Sequence, residues 1–271
     1  MTKRGRRTKT PASPRTKPAP HPCPDFALAP LIPLDRILLL PVPGEPALET
    51  RAKKFTLVLS LVFNDLKTVV WAHDRVMAGK PYDEAAVTAC NGQWVAMRQA
   101  FTRMAHGVLH ELGVLIKANS ALLNWEPLRN IETLISDKSP GAGAAWQSLV
   151  DFALERKSQS KLTRFLRANR NELAFHYDKD GEVMLDGYRR HFGRARGEHG
   201  SYDWAYVSLG ETMEQSRFYY ADAAANAAVK AQMDALKVSG EELRDFGMNA
   251  NFALRFVVGS LLAHFGRPRN G

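Results

Sequence analysis

Proline placement decides where this chain can be helical. Eleven of its fifteen prolines lie within residues 1–50; only Pro81, Pro127, Pro140 and Pro268 fall later. Pro11, Pro14, Pro18, Pro20, Pro22 and Pro24 recur every two to four residues. Each fixes φ and removes a backbone donor, so no helix survives among them. Residues 1–24 therefore read as a disordered basic arm and 25–50 as an extended segment lying across the body. From Arg51 onward the chain is free to build long helices.

Charge follows the same division. Lys3, Arg4, Arg6, Arg7, Lys9, Arg15 and Lys17 supply +7 of the net +9, leaving +2 for the other 254 residues. Any basic groove in the body must then be local. The arm reads first as a solubilising tail, with non-specific phosphate affinity as the alternative.

Apolar residues beyond Arg51 recur at three- and four-residue intervals, the period of a helix with one buried face. Phe55, Leu59, Val62, Leu66 and Val69 mark a helix to about Met77, which Gly79-Lys80-Pro81 stops. Trp94, Phe101, Val108, Leu112 and Leu115 mark a second, from about Asp83 to Ala118, with Gly92 and Gly107 as costly interruptions that permit a kink or close packing. A shorter helix through Leu128 and Leu134 follows, then others at about 144–156, 160–176, 211–236 and 240–265. Residues 181–210 look less regular, with a short hairpin expected. The fold class is all-α, a bundle of about six to seven helices: 1–50 is the arm and 51–271 a single domain.

Several functions are disfavoured. Cys23 and Cys90 make neither a disulfide framework nor a zinc cluster. His106 and His110 are four apart on a helix, a chelating spacing, but the order H-G-V-L-H-E is not the metalloprotease order and no third ligand is identifiable. No metal or other cofactor is expected. No phosphate-cradling glycine loop precedes a helix after a strand. The basic start leads into prolines rather than an apolar stretch, and the apolar run at 252–265 contains Arg255 and falls short of the roughly 20 residues needed to cross a bilayer. The expectation is a cytoplasmic protein without a membrane partner.

One segment concentrates chemistry: Arg170-Asn171-Glu172-Leu173-Ala174-Phe175-His176. On an ideal helix Leu162, Leu166 and Leu173 form a buried line. Arg170 and His176 flank it about 60° to either side, separated by about 9 Å along the axis. They border the stripe without pointing at a common spot, so a shared cleft needs the Arg to reach along the stripe or a second copy to supply the missing half. An Arg beside a His suits phosphodiester chemistry: the guanidinium binds phosphate bidentately, and the imidazole moves protons near neutrality. The ordinary alternative is an Arg that snorkels to a carboxylate, Glu111 being one candidate, and a His that complements a helix C-terminus. Lys161, Arg164 and Arg167 add local positive charge just upstream. Arg189 and Arg190, with His191 and Phe192 and later Tyr202 and Trp204, interleave charge with aromatics as single-stranded nucleic-acid sites do; a solvated loop is the plainer account.

The run from Arg170 to His176 resembles the HEPN superfamily motif: Arg, a polar residue (Asn171), a short spacer and His. Five residues separate the Arg from the His. The context is similar too, with Asn64 to Lys67 on an earlier long helix and Arg98 and Glu111 on the next. The resemblance spans roughly residues 51–236 and implies an all-α bundle, often a homodimer, acting as a metal-independent endoribonuclease of toxin–antitoxin or phage-defence type. It implies Arg170 and His176 as catalytic and Asn171 as orienting, with RNA as substrate and an antitoxin or nucleotidyltransferase as partner. The basic arm and residues 181–210 are not part of that pattern; Lys161, Arg164, Arg167, Arg189 and Arg190 are expected to hold the RNA by their charge alone. The alternative is a non-catalytic helical module that binds a protein or nucleic acid.

Overall fold

A computed structural model describes residues 33–79, 88–156, 160–174, 181–193, 206–213 and 216–266. The chain divides into Met1–Asp35 and Arg36–Gly271, and the architecture below is that of the second unit. It is an all-α bundle. The helices are α1 (Ala47–Ala78), α2 (Ala89–Ala118), α3 (Glu126–Lys138), α4 (Pro140–Ala153), α5 (Ser160–Asn169), α6 (Glu182–Phe192), α7 (Tyr219–Leu236) and α8 (Gly240–Phe265). A 3₁₀ turn at Ser120–Asn124 joins α2 to α3, and a π-helical turn at Arg170–Ala174 extends α5.

Helix ends follow local chemistry. Thr88 caps α2, its hydroxyl accepting from Asn91 N at 3.2 Å, and Ser239 caps α8, its Oγ accepting from Glu242 N at 3.0 Å. Each satisfies one of the first-turn N–H groups that have no partner inside the helix. Pro127 and Pro140 sit in the first turns of α3 and α4, where a missing N–H is tolerated. α7 ends with Lys237 at φ +54°, while Val238 N reaches back to Met233 O at 2.9 Å.

α2 is the hub, packing against α1, α4, α5, the π turn and α7; α8 lies against α1, α3 and α4. The core is continuous across these elements, with Leu59, Leu66, Leu112, Leu149, Phe152, Phe165, Leu166 and Leu254 fully enclosed. Trp146, Phe246 and Leu261 fill the α4–α8 side. Burying side chains of this size contributes about 1.5–3 kcal/mol each. A close approach falls at Gly113: a Cβ there would stand 2.5 Å from Phe152 Cε1.

Four expectations need revision. α1 starts at Ala47, inside the segment expected to be extended, and the stretch before it turns at 36–39. Buried Lys53 fastens that stretch by pairing with Glu45 and donating to Leu40 O at 3.0 Å. Residues 182–192, expected to be irregular, form α6. Gly187 at its middle lets the helix press onto α7, where a Cβ would meet Ala224 O at 2.2 Å. Helix α7 begins at Tyr219 rather than 211: Val207–Ser208 pairs antiparallel with Arg217–Phe218, and the Ser216 hydroxyl donates to Thr212 O at 3.0 Å, competing with helical bonding. The apolar run at 252–265 belongs to a 26-residue helix, and α1 and α8 are each long and apolar enough to cross a membrane by length and composition. Core helices share that property, and here both contribute a buried face to the bundle.

Candidate functional site

The site grows from the packing of α5 against α2. Leu162, Phe165, Leu166 and Leu173 are buried as the periodicity required. Asn169 joins them in the core, its Oδ1 3.3 Å from His106 Nδ1. The His106 ring also meets Phe165 edge-on at 5.2 Å. Burial pulls the His106 pKa down to about 4, against the upward pull of the Asn169 hydrogen bond and with the Arg103 charge. His106 is therefore a neutral core residue. The four-residue His pair divides between two environments, since His110 faces a groove instead. Among the described residues no three His, Cys, Asp or Glu side chains gather to hold one ion.

At Arg170 the α-helix gives way to the π turn. The i→i+5 pattern is rare and recurs at functional positions. It also removes the premise of a straight α-helix from which the 60° offsets of Arg170 and His176 follow. Arg170 projects toward α2, donating from Nε to Glu111 Oε1 at 2.8 Å and from Nη1 to Asn171 Oδ1 at 3.1 Å. Two of the five donors of the guanidinium are so used, and the side chain stays 28% exposed. Glu172 accepts from Gln232 Nε2 at 2.5 Å, tying the turn to α7. His176 lies outside the described residues, as do Phe175, Tyr202 and Trp204.

Beside the π turn runs a groove of about 440 Å³ between α2, the C-terminal end of α4, and α5; Asn171 lines it and Arg170 does not. Phe152, Ala153, Gly113 and Val114 give it an apolar floor; His110, Lys117, Glu155, Arg167 and Asn171 give it polar walls. His110, Val114 and Lys117 stand at i, i+4 and i+7, one face of α2. Burial lowers the His110 pKa; Glu111 opposes the shift, while Arg170 and Arg167 reinforce it. Among the described residues its enclosed Nδ1 has no hydrogen-bond partner, and it stands 3.8 Å from Glu111 Oε1. The result is a neutral imidazole next to an oriented guanidinium.

The structure brings some expected contact residues together and separates others. Arg167 lines the groove and donates to Glu155 Oε1 at 2.7 Å. Lys161 turns away, donating to Glu242 Oε2 at 2.8 Å and Lys237 O at 3.2 Å. Arg164 is exposed on α5 and does not line the groove. Arg189 and Arg190 lie on the exposed face of α6, away from it, with Arg189 3.5 Å from Asp186. Their neighbour Phe192 packs at 4.6 Å on Tyr188 and against the small cluster of Tyr219 and Ala223. His110, Lys117 and Glu155 were not expected as groove residues. The α2 face carrying the first two is visible in the sequence spacing; nothing in the sequence marks Glu155. Comparison of the chain with family models, with curated proteins and with solved structures returns no match.

Proposed function

We propose that the chain is a HEPN-like, metal-independent endoribonuclease. The observation that carries the reading is Arg170, part-exposed in a π turn, held by Glu111 and by Asn171, which lines the groove. In the proposed reaction the ribose 2′-OH loses its proton and attacks the adjacent phosphorus. The 5′-oxygen leaves with a proton, and a 2′,3′-cyclic phosphate remains. Arg170 stabilises the charge that grows on the phosphorane oxygens, and such a donor contributes about 10²–10³ in rate. His176 moves the proton, a role that rests on the motif. Asn171 holds the guanidinium in position. RNA is the substrate, and a homodimer would let a second copy complete the cleft. A cytoplasmic toxin–antitoxin or phage-defence pair, with an antitoxin or nucleotidyltransferase partner, fits such an activity.

A second reading has its own observation. Arg170, Lys161 and Arg167 each face a carboxylate, of Glu111, Glu242 and Glu155. A helical module that binds a protein partner has the same ion pairs as structural clamps. Incubation of the purified chain with mixed RNAs in EDTA separates the two. Cleavage that leaves cyclic phosphate ends, and is lost in folded Arg170→Ala and His176→Ala proteins, supports the nuclease. Intact RNA with wild-type protein, or cleavage that persists in both variants, overturns it.

A further inference from the structure

The groove holds an arrangement that the motif does not contain. Lys117 Nζ from α2 and Arg167 Nη2 from α5 both donate to one oxygen, Glu155 Oε1, each at 2.7 Å. Two cations converging on a single anionic oxygen make the pattern with which proteins hold a phosphate oxygen. All three residues line the groove, as does Asn171, the hydrogen-bond partner of Arg170. The two cationic donors hold the Glu155 carboxyl below its usual range, Lys117 the more strongly, so it is an anion at neutral pH.

The backbone beneath Glu155 points the same way. α4 ends in a Schellman motif, with Arg156 N reaching Asp151 O at 2.9 Å and Glu155 N reaching Phe152 O at 3.1 Å. Glu155 takes the left-handed position at φ +55°. Glycine is the usual occupant there, because a Cβ at positive φ is strained. A glutamate at such a position forgoes the easier residue and delivers a carboxylate to the two cations.

We propose that Lys117 and Arg167 form a phosphodiester seat for single-stranded RNA, and that Glu155 is a built-in competitor which occupies the seat until a phosphate displaces it. The chemical class of the ligand rests on the nuclease reading above. The displacement is an exchange of one anion for another, with no bond made or broken. The exposed Val114 side of the groove then faces the nucleoside attached to the seated phosphate.

A binding measurement on RNA that cannot be cut tests this. A fluorescent 2′-O-methyl oligonucleotide is titrated against wild-type protein, Glu155→Gln, Glu155→Gly, and Glu155→Gln combined with Lys117→Ala and Arg167→Ala, each checked for folding by circular dichroism. The seat requires both single variants to bind about tenfold more tightly. It also requires their salt dependence to steepen by about 0.7 per phosphate newly engaged, and the combined variant to lose the gain. Unchanged or weaker binding by Glu155→Gln overturns the proposal, as does a gain that survives loss of both cations, since that gain comes only from removing negative charge. Cleavage of ordinary RNA is scored separately. RNA cut by wild type with no effect of Glu155→Gln sinks the seat alone, and tighter binding without cleavage by any variant sinks the nuclease alone.

Discussion

Arg170 and Glu111 meet across the α5–α2 junction, Nε to Oε1 at 2.8 Å, and the two side chains are 28% and 42% exposed. Pairs this accessible to water contribute about 0.2–1 kcal/mol to folding. Their geometric effect is larger than their energetic one, since the bond fixes which way the guanidinium fork faces. Glu111→Gln should therefore leave the melting temperature within a few degrees of wild type while RNA cleavage falls at least about tenfold. Arg170→Lys keeps the charge without the fork and should cost about 10²-fold in cleavage. Parallel thermal melts and single-turnover cleavage separate aiming from folding, and equal cleavage by all three proteins would rule out the aiming role.

His106 ties folding to pH. Its folded-state pKa, about 4, lies below the ordinary 6.5. Between those values the unfolded chain binds the proton and the folded chain does not. Stability is thus fully present above pH 6.5 and declines as pH falls toward 4, by an amount on the order of 3 kcal/mol for this one group. Urea unfolding at pH 7 and pH 4.5 should show a smaller loss in His106→Gln than in wild type. Identical losses in the two proteins would assign the acid sensitivity to other groups.

Gly113 lets Phe152 pack directly on the α2 backbone. Alanine there gains about 1 kcal/mol of helix propensity but forces apart two buried surfaces, at about 1–3 kcal/mol. Gly113→Ala should destabilise the fold on balance, and adding Phe152→Leu should recover part of the loss. A Gly113→Ala protein more stable than wild type in urea would show that the helices can separate at little expense.

Lys161 and Arg167, six residues apart on one helix, should behave differently. Lys161→Met releases Glu242 and the Lys237 carbonyl, so its effect, about 1 kcal/mol or less, falls on stability. Arg167→Met should weaken oligonucleotide binding and reduce its salt dependence, with little change in melting. Equal effects of the two on binding would mean that the RNA path extends beyond the groove.

The long helices were legible because burial on one face imposes a 3.6-residue period over twenty or more residues, as in α1, α2 and α8. The bounds of α8 match expectation because Ser239, Gly240 and Gly266 punctuate it. α6 was hidden by its charged outer face and by Gly187, whose reason for being there is the distant Ala224 carbonyl. The motif singled out Arg170 in the sequence, and its pairing with Glu111 could be named only as one option, because helical register does not say which helices touch. Glu155 was invisible: its role depends on a left-handed cap and on two cations that lie 38 and 12 residues away along the chain.

The π turn at Arg170–Ala174 has a consequence for how this segment tolerates change in length. A π turn takes one residue more than an α turn, so removing a single residue within it would let α5 continue as a regular α-helix. The buried line of Leu162, Phe165 and Leu166 lies upstream and would be untouched. Because the extra residue is absorbed inside the turn, the chain would leave it at nearly the same angle, with the spacing after Arg170 one residue shorter. The segment is thus built so that the loss of one codon changes the count of residues after Arg170 more than it changes their direction.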